Sequence, residues 1–283
     1  MSGLLSGLEE FGLGELSKMD VLEDQNAAKK GALDAKAAEI HEKTEDEYLF
    51  DKNFTCPVCD REFKAKAIRT GKAKLLGTDT DLRPRYQGID PLKYDAVVCP
   101  HCGYAALTRF FANMTSTQSK LIRETISPKF KAPAEPEKVY SYDDAIVRHR
   151  LALVSAMVEK AKLSERAYIC LKTAWLIRCK AEFSEKEEEK AELAAAEKEF
   201  LSTAYDGFTE ALTKENLPMC GMDEITIDLM LCDVGRRLGR YEESFRLISK
   251  ILTTRGVNER VKNHARDIKE MIEEERKQGK PEN

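Results

Sequence analysis

Four cysteines stand in two copies of one short pattern, Cys56-Pro57-Val58-Cys59 and Cys99-Pro100-His101-Cys102. A Cys-x-x-Cys turn lets two thiolates approach one ion while the backbone passes beneath it, and two such turns complete a tetrahedral four-thiolate shell. Each proline fixes φ just after the first ligand and preforms the turn. Gly103 after the second pair, and Asp60 at the matching place after the first, accept left-handed backbone. The pattern predicts one zinc ion held by Cys56, Cys59, Cys99 and Cys102. Four protein ligands leave no position for water, so the ion is expected to build structure rather than to hydrolyse. Such a site contributes on the order of 10 kcal/mol or more to folding of a module with too few apolar residues for its own core.

Iron in a rubredoxin-like site is the rival. It is set aside because the intervening segment is basic and hydrophilic and lacks a tryptophan-containing aromatic core. His101 would be redundant with Cys102 as a ligand and is expected to be exposed or behind the ligand shell. Between the pairs lie Lys64, Lys66, Arg69, Lys72, Lys74, Arg83 and Arg85, interleaved with Phe63 and Tyr86. Such a run suits phosphate contacts. Asp79, Asp81, Asp90 and Asp95 dilute it, and four thiolates around zinc leave a net negative charge, so a solvated hairpin face is favoured. Asp79 and Asp81 read as a turn between Gly77 and Pro84 rather than a divalent-metal or acid-base pair. Cys170, Cys179 and Cys232 fall in helical patterns as small apolar residues. Cys220 is a candidate reactive thiol without a partner motif. His149 and His264 read as packing or surface groups, and Trp175 as core. With no phosphate-binding glycine loop, HExxH or GxSxG, no enzyme is expected.

The elements that must carry these residues fall into four stretches. Residues 1–47 read as a poorly ordered tail and then an exposed helix; the alternative is a docking peptide built on Leu4, Leu5, Leu8, Phe11 and Leu13. Residues 48–126 form a zinc-ribbon-like domain: hairpins and loops to about Tyr104, then a helix over 105–126 with Leu107, Phe110, Phe111 and Met114 as its apolar stripe, its N-terminus beside Cys102. Residues 127–139, with Pro128, Pro133 and Pro136, read as a linker. Residues 140–283 read as six helices. The first places Val147, Leu151, Val154, Val158 and Ala161 on its apolar side, widened by Leu153 and Met157. Ser184 and Glu187 fit a capping box opening a long helix. The stretch RRLGRYEESFRLISKIL resembles one tetratricopeptide (TPR) unit, although Ser244 and Ile251 stand where that repeat prefers alanine and no second copy follows at about 34 residues. The fold class is mainly α, with a small zinc-stabilised α+β module before a TPR-like helical-hairpin domain.

Bulk properties agree with a globular chain: 283 residues, 42% apolar and 34% charged, with 46 basic against 50 acidic residues for a net charge of -4. That balance gives no global attraction to nucleic acid or anionic lipid. No basic, apolar leader opens the sequence and no window nears the roughly 18 apolar residues of a span, so a cytoplasmic protein without membrane contact is expected.

The run CPVCDREFKAKAIRT, then DTDLRPRYQGIDPLKYDAVVCPHCGYAA, resembles an uncharacterised bacterial family known only as a domain of unknown function. In that family two CPxC knuckles enclose a basic segment, an aspartate-threonine-aspartate turn and a tyrosine-rich approach to CPxCGYA. The resemblance carries over to Cys56, Cys59, Asp79, Thr80, Asp81, Tyr86, Tyr94, Cys99, Cys102, Gly103 and Tyr104. Asp60 stands where a glycine is common, and the first 48 residues extend beyond the family core. The resemblance implies zinc and a helical scaffold similar to TPR units, with no established reaction. The functional expectation is a non-enzymatic adaptor whose helical domain binds a protein or peptide partner. The alternatives are RNA or DNA binding through the basic hairpin and, more weakly, a thiol sensor that releases zinc. Nothing in the sequence fixes an oligomeric state.

Overall fold

The computed structural model describes residues 44–132 and 135–278. The tail, helix and docking peptide expected before residue 44 lie outside the described residues. The rest is mainly helical, with three two-stranded antiparallel sheets and a four-cysteine cluster. Strands β1 (Leu49–Thr55) and β2 (Glu62–Ile68) pair in register from Leu49 opposite Ile68 to Thr55 opposite Glu62. Strands β3 (Lys74–Thr78) and β4 (Pro84–Gln87) form the second hairpin, with a register shift between Leu75 and Gly77. Strands β5 (Ala96–Val98) and β6 (Ala105–Leu107) form the third and are buried throughout. Their alternation supplies two cores at once: Val97 and Ala106 face the cysteine cluster, while Ala96, Val98, Ala105 and Leu107 pack toward the helices.

The helix expected over 105–126 is therefore corrected. Ala105–Leu107 pair with β5, and the helix α1 begins only at Ser116 and runs to Thr125. A Thr115/Gln118 capping box sets that start: Gln118 N–H donates to Thr115 Oγ1 while Thr115 N–H donates back to the Gln118 side chain. The supposed apolar stripe divides, Leu107 toward the helices and Phe111 toward the cysteines. Cys102 consequently precedes a strand, and the helix-terminus argument for its thiolate falls.

Six helices follow: α2 (Tyr142–Val158), α3 (Leu163–Phe183), α4 (Glu187–Lys214), α5 (Glu224–Arg237), α6 (Tyr241–Thr253) and α7 (Glu259–Gln278). Consecutive helices run antiparallel, as cross-helix pairs show. Asp143 meets Lys180, Arg178 meets Glu197, Glu224 meets Lys250 and Glu242 meets Arg276. Ser184 does not open α4. It closes α3, and α4 starts after Lys186 without a side-chain cap; Ser184 Oγ instead accepts from Lys186 N–H and donates to Glu189.

Helix α2 is turned relative to its apolar pattern. Val147, Val154 and Met157 are exposed, whereas Ala145, Ile146, Arg148, His149, Ala152, Ser155 and Ala156 are buried. Small residues let α2 sit close on β5 and β6, and Ser155 Oγ accepts from Ala105 N–H at 3.1 Å. Arg148 lies 4.1 Å over the Tyr140 ring and pairs with Glu135. Close packing of small side chains thus outweighed the larger aliphatic stripe. Within the proline-containing stretch before α2, Phe130 packs against the β5–β6 and α2 core, and Glu137 O accepts from Lys66 Nζ.

Candidate metal centre

Each cysteine pair sits at the tip of a hairpin, the first between β1 and β2, the second between β5 and β6. The two tips are built alike. Cys56 N–H donates to Arg61 O and Asp60 N–H to Cys56 O; in the second, Cys99 N–H donates to Tyr104 O and Gly103 N–H to Cys99 O. Asp60 and Gly103 both hold positive φ, 59° and 79°. Gly103 is needed for a second reason: a Cβ there would lie 2.4 Å from Phe130 Cγ.

The four Sγ atoms all lie within 4.8 Å of one another. Cys56 and Cys102 Sγ are 3.5 Å apart, and Cys59 and Cys99 Sγ 3.7 Å apart. A tetrahedron with metal–sulfur bonds of about 2.3 Å has edges of about 3.8 Å, so the spacing fits one four-coordinate ion. Cys56, Cys99 and Cys102 are buried and Cys59 is half-buried. Backbone N–H groups favour thiolates, Val58 N–H pointing at Cys56 Sγ from 3.4 Å. Sharing hydrogen bonds with Cys102 and Cys56, and with the His101 and Cys102 N–H groups, lowers the Cys99 thiol to about 2, while hydrogen bonding to Cys56 and Cys99 drives the Cys102 thiol far up. Four thiolates this close repel one another, so a cation that bound them would offset that repulsion and release protons. His101 is exposed at its tip.

A helix braces the first tip. Arg123 of α1 donates from Nε to Val58 O at 2.5 Å. Beneath the cysteines, Phe54, Phe63, Tyr104 and Phe111 form a contiguous aromatic cluster with ring centroids 5.1 to 5.9 Å apart. The sequence predicts no tryptophan-containing core here; the cluster contains phenylalanine and tyrosine rings, and Trp175 is not part of it. The rings come from positions too scattered to show in any local window.

The basic residues do not form one surface. Lys64, Arg69, Lys72 and Lys74 are exposed, whereas Lys66 is mostly covered and bonded to Glu137 O. Arg83 has no exposed surface; it pairs with Asp79 and Glu182 and donates to Cys179 Sγ. Arg85 pairs with the same two carboxylates. The Asp79 to Leu82 turn forms as read, Leu82 N–H donating to Asp79 O at 3.0 Å. Yet Asp81 is wholly buried, accepting from Trp175 Nε1 at 2.9 Å and Arg178 Nη2 at 2.7 Å. Burial alone would raise its carboxyl, but Arg178, Arg237 and Trp175 outweigh that and hold it below its ordinary range. Cys170, Cys179 and Cys232 are buried, and burial raises each thiol; Cys220 is half-buried and burial raises it to about 11.

Among the described residues no helix is long and apolar enough to cross a membrane. The chain belongs to a family described as an uncharacterized protein conserved in bacteria (DUF2225), whose model matches residues 49–272. No curated protein and no solved structure matches it.

Proposed function

We propose that this family member is a non-enzymatic adaptor in which one structural zinc ion locks a ribbon-like β module against a TPR-like helical layer, and that the layer engages a protein or peptide partner. The carrying observation is the closed shell of four sulfurs at tetrahedral spacing, which supports an architectural ion over a hydrolytic one. The shell suits a reducing cytoplasm, where thiols stay available to metal. The exposed apolar face of α2, with Val147, Val154 and Met157, supports the partner-binding half.

Full-length protein with Val147→Glu and Met157→Glu, purified from its native cells beside the wild type, tests that half. A specific partner recovered by the wild type and lost by the folded variant is expected; equal recovery would remove α2 as the surface. The exposed Lys64, Arg69, Lys72 and Lys74 favour nucleic acid as a second reading. It predicts binding that weakens steeply with salt and with glutamate at these four positions.

A further inference from the structure

The β3–β4 hairpin is anchored mainly by its tip, with Arg85 of β4 adding an ion pair to Glu182 of α3. All five β3 residues are exposed, Leu75 and Leu76 at 53% and 63%, and the two strands pair only with each other. An isolated two-stranded hairpin is marginal in water. Its tip, by contrast, enters the helical layer. Thr80 Oγ1 donates to Asp233 Oδ2 at 2.8 Å, Asp81 takes the Trp175 and Arg178 bonds, and Arg237 Nε stands 3.8 Å from Asp81 Oδ2. Leu82, at φ 67°, packs against both helical cores.

The receiving groove lies between α3, with Trp175 and Arg178, and α5, with Asp233 and Arg237. Within it Arg178 Nη1 is buried without a hydrogen bond and faces Asp79 Oδ2 at 3.7 Å, an ion-pair distance. Buried ion pairs nearly balance their desolvation, so this docking selects a sequence more than it stabilises a fold. Gly71 and Gly88, both at positive φ, flank the hairpin.

We propose that Lys74–Gln87 is a releasable arm whose tip fills a carboxylate-reading groove in cis. When the arm is out, the groove takes an extended partner segment of the same chemistry, two carboxylates two residues apart followed by arginine. This rests on the reading of the helical layer as a partner surface and names what it recognises.

The arm can be excised from the full chain at its paired base. Lys74 and Gln87 are register partners, about 5 Å apart, so two glycines close the gap. Trp175 is the single tryptophan and touches the tip directly, so its emission reads groove occupancy. The probe is a peptide of residues 77–86, GTDTDLRPRY. The arm-less chain is expected to keep its helical circular dichroism and its metal, to show Trp175 more open to acrylamide, and to bind the peptide saturably. Asp81→Asn within the peptide should weaken binding at least about ten-fold. An arm-less chain that unfolds, or folds and ignores the peptide, overturns the proposal and leaves the α2 experiment untouched.

Amide exchange on the unaltered protein is the second measurement. The Asp79 and Leu82 N–H groups should exchange at least about a hundred-fold faster than that of Ile177, through an opening that spares α3. One common rate and denaturant dependence would mean the arm leaves only on global unfolding, which contradicts release.

Discussion

The cysteine cluster and the β3–β4 tip solve the same problem by different physics. Each joins segments distant in sequence around polar atoms, with little apolar surface at the point of contact. At the cysteines, a bound cation would offset the repulsion of the sulfurs, and its binding energy would become folding energy. At the tip, Asp81, Arg178, Arg237 and Asp233 must cancel one another's charge, so removing one member strips its buried neighbours of a charge partner. On the proposed reading, the first centre depends on an ion the chain acquires, the second only on its own side chains.

Breaking the first should cost most. Cys99→Ala is expected to disorder both knuckle hairpins and to loosen α2, because β5 and β6 lie between the cysteines and that helix; a loss on the order of 10 kcal/mol is expected, seen as a collapsed thermal transition. Breaking the second should cost less. Asp81→Ala is expected to destabilise by up to about 3 to 5 kcal/mol in urea titrations, because Arg178 loses its wholly buried partner and keeps Glu197, while Asp81→Leu with Arg178→Met should recover most of that. Recovery would also show that the tip contributes specificity rather than net stability.

His149 within α2 and Glu159 capping its C-terminus offer a pH test. Burial, reinforced by Glu165, raises the Glu159 carboxyl to about 7. The folded state therefore holds its proton where the unfolded chain, near 4.5, has lost it, and stability falls as pH rises between those values. Glu159→Gln should gain at most about 3 kcal/mol at pH 8 and nothing at pH 4. His149 behaves oppositely. Burial lowers it to about 4 from an ordinary 6.5, so the unfolded chain binds the proton first and stability falls on acidification through that window; His149→Gln should flatten this limb of a Tm-against-pH curve. The smallest effect is expected for Arg85→Ala. Its side chain is 42% exposed and its pairs with Asp79 and Glu182 are screened, so less than about 1 kcal/mol should be lost.

The four-cysteine cluster was legible because its information is local: two cysteines three residues apart, a proline between them and a left-handed residue after them. The turn at Asp79 was legible for the same reason. Its burial was not, since Trp175 and Asp233 meet the tip across separations of 94 and 153 residues. The aromatic cluster escaped notice because Phe54 and Phe111 come from opposite ends of the module. Helix α2 was turned the wrong way because periodicity ranks large aliphatic residues above alanine and serine, while the close seat on β5 and β6 requires the small ones. The helix over 105–126 failed where a short strand and a capping box shared one apolar pattern.

Native mass spectrometry of the purified full chain, with elemental analysis, tests the central claim most directly. One zinc per chain is expected, lost together with the knuckle hairpins on chelation or on acidification enough to protonate the thiolates. A chain that holds no metal and is fully folded with four free thiols would contradict it.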